Sequence, residues 1–170
     1  ANEPARFHPL DIKLTNWMAR HGIALLRVSL GIVFFWFGVL KFFPDLSPAL
    51  SLATRTLEIM TFGLVPPGVA IFVLATWECL IGLGLILCMF MRATLLLLFL
   101  QMLGTFTPIL FFPDEIFVRL PYAPTLEGQY IIKNIVLLTA GLVIGATVRG
   151  GDIVADPRIA RLGQQKDDRE

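Results

Sequence analysis

The sequence predicts an all-α integral membrane protein, a bundle of four membrane-crossing helices, and three observations carry that expectation. Of 170 residues, 56% are hydrophobic and 16% charged, where a soluble domain carries about 25% charged residues. Four separate stretches are apolar over the ~20 residues that a bilayer crossing needs. The mean hydropathy of +0.75 would leave a soluble globule of this size with large exposed apolar patches. The 11 prolines and 14 glycines fit a bundle with proline-marked loops and close helix contacts. A net charge of +1 gives no electrostatic footprint for nucleic acid, which is excluded as a partner.

In chain order, residues 1–21 form a cytoplasmic interfacial segment. They carry charges early and lack the apolar run of a secretory signal; an initial Ala implies removal of the initiator Met or trimming. Within residues 8–20, Leu10, Leu14, Trp17 and Met18 share one helical face, a pattern for a helix lying in the membrane plane. The four-span domain covers residues 22–148, with spans at about 22–43, 67–90, 93–112 and 130–148. Only Met91 and Arg92 separate spans two and three, so a tight turn joins antiparallel helices there. Between spans one and two, residues 47–61 open with Ser47 and Pro48, a cap and first-turn pair. This segment is either a second interfacial helix, in the first outer loop, or an ordered irregular loop. Residues 149–170 form a polar cytoplasmic tail.

Orientation follows from the basic residues. Arg6, Lys13, Arg20, Arg92, Arg149, Arg158, Arg161, Lys166 and Arg169 fall on one side, and only Arg55 and Arg119 on the other. Both termini are therefore expected to face the cytoplasm. Cys79 and Cys88, nine residues apart on one apparent helix, lie about 13 Å apart along its axis and cannot pair. His8 and His21 have no second ligand at metal spacing, so no metal is expected.

Charge inside a span is costly and usually partnered. Four residues qualify: Arg27 and Lys41 in span one, Glu78 in span two and Lys133 in span four. Arg27, Gly31, Phe34, Gly38 and Lys41 recur at gaps of four and three and form one stripe. Its two glycines admit a neighbouring helix, so the stripe should face protein. Arg27 and Lys41 are long enough to snorkel to the interfaces instead. Glu78, at mid-span, is too short for that and must be neutral, hydrogen-bonded or ion-paired. Lys133, beside Asn134, enters one turn inside the outer end of span four. Lys41, Glu78 and Lys133 are therefore expected to converge, with Arg27 below. Such a cluster either fixes helix register alone or forms a ligand, proton or quinone site. Span three has no charge; Gln101 is its main polar group, followed by Thr105, Thr107 and Pro108, and the proline should loosen the helix near its outer end.

The segments bearing these charges resemble a known family. Phe35-Trp36-Phe37-Gly38-Val39-Leu40-Lys41-Phe42, Trp77-Glu78-Cys79-Leu80-Ile81-Gly82, Thr105-Phe106-Thr107-Pro108 and Tyr130-Ile131-Ile132-Lys133-Asn134 resemble, in order and spacing, the motifs of DoxX-like four-helix membrane proteins. The likeness is nearest to the YkgB/RclC-type inner membrane proteins. Asn134 stands where that family has Asp. The resemblance implies a redox-linked protein: the family is named after a subunit of a thiosulfate:quinone oxidoreductase, and other members are linked to oxidative-stress resistance or membrane redox complexes. On this reading the chain binds a quinone or small ligand beside Lys41, Glu78, Lys133, Asn134 and Arg27, or serves as a small subunit of a respiratory assembly. Glu78 would relay a proton and the lysines would stabilise an anion. The alternatives are an accessory membrane subunit whose charges only lock its helices, and a small transporter or channel, for which four helices are too narrow without a homo-oligomer. No catalytic or electron-carrier motif occurs in the chain, so the lipid bilayer and redox-complex subunits are the expected partners.

Overall fold

Lipid contact is written into the surface of the folded chain. Trp36, Phe72, Leu96, Leu103, Val136 and Leu142 are all exposed, a belt of large apolar side chains on every long helix. The computed structural model describes residues 9–43, 46–47 and 50–151. Within them run α1 (Pro9–Leu40), α2 (Leu50–Met60), α3 (Pro67–Leu87), α4 (Met91–Phe106), α5 (Pro108–Phe111), α6 (Pro113–Ile116), β1 (Phe117–Arg119), β2 (Ala123–Pro124) and α7 (Leu126–Thr147). Four helical segments are long and apolar enough to cross a membrane: α1, α3, α4 with α5, and α7. His8, Pro48 and most of the expected polar tail, residues 152–170, lie outside the described residues.

The helices pack in a ring, α1 on α3, α3 on α4, α4 on α7 and α7 back on α1. Pairs of touching residues show that neighbours run antiparallel. Arg27 reaches Leu85 and Ile86 at one end of α1, while Gly38 meets Glu78 and Cys79 further along. Leu30, Phe34, Ile81, Leu85, Leu98 and Ile144 form the core between the helices. A second, smaller cluster of Leu52, Ile116 and Ile131 sits near the opposite end, under α2 and α6.

Three boundaries differ from the sequence reading. The amphipathic segment 8–20 is not a separate in-plane helix: residues 9–40 form one helix of 32 residues. Gly22, where the sequence suggested a boundary, lies inside it. Nothing between Asp11 and Leu40 breaks the ladder, since a lone glycine costs only about 1 kcal/mol in a helix interior and the surrounding Leu, Met, Ala and Arg favour it. Span four starts earlier than 130, because Thr125 caps α7: its Oγ1 accepts from the Gly128 N–H at 3.1 Å and donates to the Glu115 carbonyl at 2.6 Å. The outer-loop segment does form a helix, α2. The turn between spans two and three is not Met91 and Arg92, which open α4, but Cys88, Met89 and Phe90; Cys88 (φ 57°) and Phe90 (φ 46°) are both left-handed and end the helices there. Pro108 interrupts span three as its chemistry requires. It has no N–H to give the Gly104 carbonyl, and the Thr107 hydroxyl takes that carbonyl instead at 2.6 Å.

The backbones of α1 and α3 approach closely. A Cβ at residue 82 would lie 2.5 Å from the Phe35 backbone nitrogen and 2.7 Å from its Cα. Backbone cannot yield as a flexible side chain can, so Gly82→Ala must push the helices apart, at a cost of roughly 1–3 kcal/mol. Thermal unfolding in detergent should show a clear loss for Gly82→Ala. Gly68→Ala, in the same helix with open space around it, should show none.

Candidate functional site

The α1–α3 contact determines where the charges meet. Gly38 lets the end of α1 lie directly on the Glu78–Cys79 segment of α3, and Lys41 follows one turn later. Its Nζ donates to Glu78 Oε2 at 2.6 Å, and both side chains are largely buried, 13% and 10% exposed. The other carboxylate oxygen, Oε1, accepts from Gln101 Nε2 of α4 at 2.5 Å. One carboxylate thus ties three helices together. Gln101 presents its amide N–H to Glu78, which leaves its own Oε1 buried with no hydrogen-bond partner among the described residues. Thr105 does not serve it, because the Thr105 hydroxyl is spent on the Gln101 backbone carbonyl at 2.9 Å. The neighbouring Trp77 holds α3 to α4 through Nε1, which donates to the Leu97 carbonyl at 3.1 Å. On the outer side of these two helices, Phe72, Trp77, Leu80 and Leu97 line an apolar groove of about 250 Å³.

The other residues singled out from the sequence lie elsewhere. Arg27 is 14 residues from Lys41, about four turns or 21 Å along the helix, at the far end of the α1–α3 contact. Its Nη1 donates to the Leu85 carbonyl and, at 3.2 Å, to that of Ile86. These are last-turn carbonyls of α3, without helical partners, so Arg27 closes the end of that helix. Lys133 does not join Glu78. It is exposed, and its Nζ lies 6.0 Å from the ring centroid of Tyr130. The reason is rotation: α7 buries Ile131, and two residues further on is roughly 200° round a helix. Asn134 is half-buried on the flank of α7. Among the described residues no three His, Cys, Asp or Glu side chains come together as metal ligands, and both cysteines are free.

Gln101 is the member that spacing alone did not place. Its signal was present, as the main polar group of an otherwise apolar span, but a single polar residue carries no periodicity to say which way it faces. The clamp between the two outer-loop segments was likewise unread. Arg55 of α2 forms a two-pronged ion pair with Glu115 of α6, one prong at 2.8 Å. Its guanidinium carbon also lies 5.0 Å over the Phe112 ring.

Residues 22–112, more than half of the chain, match the model of the DoxX family. The chain belongs to the DoxX family. The matched stretch contains Lys41, Glu78 and Gln101, and ends before Lys133 and Asn134. No curated protein and no solved structure matches the chain.

Two outcomes follow from this geometry. Removing one member of a buried ion pair leaves an uncompensated charge and costs about 3–5 kcal/mol. Lys41→Met should therefore lower thermal stability sharply, while Lys41→Met combined with Glu78→Leu should regain most of the loss; a double-mutant cycle by detergent-phase melting reads the coupling. At the outer clamp, the hydrogen bonds from Arg55, helped by its charge, hold the Glu115 carboxyl below its ordinary range. A lowered folded-state value means that the clamp's contribution is fully present above the ordinary glutamate pKa of about 4.3 and is lost as pH falls through the lower, folded value. Hydrogen exchange of α2 should quicken in that acidic window, and Glu115→Gln should remove the pH dependence.

Proposed function

We propose that this DoxX protein binds a small, lipid-soluble redox molecule of the quinone class at Lys41, Glu78 and Gln101. It does so either alone or as a small subunit of a respiratory complex in a bacterial inner membrane, with both termini cytoplasmic. Within the family, the motifs quoted above favour the YkgB/RclC type. The observation that carries the reading is Gln101 Oε1, a buried oxygen without a donor among the described residues, held beside a charged pair. A buried acceptor left unmade costs about 1–3 kcal/mol, and a hydroxyl-bearing ligand would relieve that cost.

The donor set fits such a ligand. Lys41 Nζ is a cationic donor for a carbonyl or phenolate oxygen, Gln101 Oε1 accepts from a hydroxyl, and Glu78 can hold a proton between them. A bound quinone would supply the exchange of two electrons and two protons at its oxygens. The residues of this chain orient the ring, keep the site largely free of water and hold the proton. The electrons would come from a redox group on a partner subunit.

A second reading has its own support. Lys41 and Glu78 neutralise one another at 2.6 Å, and Arg27 is spent on helix-end carbonyls, as expected if the charges serve only to lock the bundle.

Gln101→Leu separates the two, since it removes the amide without stranding a full charge. With decylubiquinone as probe, quinone binding to the purified protein should weaken about five- to ten-fold, the worth of one hydrogen bond. If wild type fails to bind the probe, or if the variant binds it equally well and only melts earlier, the charges are structural.

A further inference from the structure

The stripe that α1 turns toward its neighbours does not end where the neighbours end. Lys41, Gly38, Phe34, Gly31 and Arg27 continue at the same three- and four-residue spacing through Ala24, Arg20, Asn16 and Lys13. Inside the bundle the stripe is apolar and glycine-rich, and at Arg27 it meets the last turn of α3. Beyond that point its chemistry changes to basic and polar. Arg20 lies seven residues past Arg27, about 10 Å along the helix, and Lys13 about 10 Å further. Residues 13–22 are all exposed, so no described part of the chain covers this length of α1.

The level at which the change occurs is informative. The 21 residues of α3 span about 32 Å, close to the ~30 Å hydrocarbon thickness of a bilayer. The last turn of α3, gripped by Arg27, therefore lies near the edge of the hydrocarbon, and α1 runs on from there through the headgroup layer and past it. On this overhang Lys13, Asn16, Trp17, Arg20 and His21 line a depression of about 210 Å³. The Trp17 and His21 rings stack with centroids 5.1 Å apart, and His21 Nδ1 is within 3.0 Å of the Trp17 carbonyl, which fixes the ring with Nε2 directed away from the backbone. Tryptophan is the residue that favours this depth. Neither Lys13 nor Arg20 meets a carboxylate among the described residues.

We propose that this overhang is a binding site for the phosphate headgroup of an anionic phospholipid. Arg20 and Lys13 supply charge, Asn16 and His21 supply directed hydrogen bonds, and Trp17 packs against the glycerol and upper acyl carbons. The lipid would fill the place along α1 that α3 fills deeper in the membrane, so that one stripe recognises protein in the hydrocarbon and lipid at its edge.

The test is native mass spectrometry of the full chain in detergent, titrated with phosphatidylglycerol or phosphatidylcholine. Wild type should retain phosphatidylglycerol preferentially. Each juxtamembrane cation is worth about five-fold in affinity for an anionic lipid, so Lys13→Gln with Arg20→Gln should weaken retention by roughly twenty-fold. The substituted side chains touch no core, and the melting temperature should not change. Arg92→Gln, a charge removed from the same membrane face outside the depression, should change retention less than two-fold. The proposal is overturned if the double variant keeps the lipid as wild type does, or if Arg92→Gln weakens it as much, which would mean a diffuse surface charge. Displacement of the lipid by millimolar inorganic phosphate would identify a soluble anion as the occupant and also overturn it. So would a double variant whose only change is loss of self-association, since the stripe would then be covered by a second copy.

Discussion

A carboxylate in the middle of a membrane must be answered by protein, and the architecture follows from how Glu78 is answered. The ammonium of Lys41 has to come within hydrogen-bonding distance, which it does at 2.6 Å. That distance is reachable only if the end of α1 rests on the middle of α3, and the two helices touch that closely because neither Gly38 nor Gly82 places a side chain in the way. The second carboxylate oxygen then draws in α4 through Gln101. Replacing such a buried pair by apolar residues is often neutral or stabilising, so its stability alone is a weak reason for a chain to carry one. The proposed ligand role would give the chain a further reason to carry it, at the Gln101 oxygen that has no partner among the described residues.

The two ends of the bundle are closed by different means. At one end Arg27 satisfies the final carbonyls of α3 from inside the bundle, and the basic part of α1 continues past it. At the other, α2 is held over the helix ends by Arg55, which pairs with Glu115 and lies over Phe112. The second clamp is exposed on both partners and is screened by solvent and salt, unlike Lys41–Glu78. The α2–α6 cap is thus the more easily loosened part of the molecule, while the interior pair is insulated from the medium.

Much of the fold was legible in the sequence because the bilayer imposes simple demands. Length and apolarity located the four spans. Stripe periodicity gave the face of α1 that meets protein, and the mid-span position of Glu78 showed that it needed a partner. Rotation of a helix with few landmarks was not legible. Lys133 has the right depth to approach Glu78, but Ile131 and its neighbours turn it outward. Gln101 had no periodic companion to reveal its direction. The N-terminal amphipathic pattern was read correctly as helix, but amphipathicity does not say whether a helix bends at the membrane surface or continues into it. The Arg55–Glu115 pair joins residues 60 positions apart in two loops, a separation at which spacing arguments have no force.

The placement of the ion pair also bears on how the protein is made. Lys41 and Glu78 are 37 residues apart, on two successive spans. A carboxylate at the centre of a nascent helix opposes release into lipid by about 2.5–3.5 kcal/mol on insertion scales. Here the counter-charge is already waiting in the preceding helix, so these two spans can leave the translocon as a neutralised hairpin. The glycine-lined seam between them would form at that stage, and the later helices would assemble on a template whose electrostatic problem is already solved.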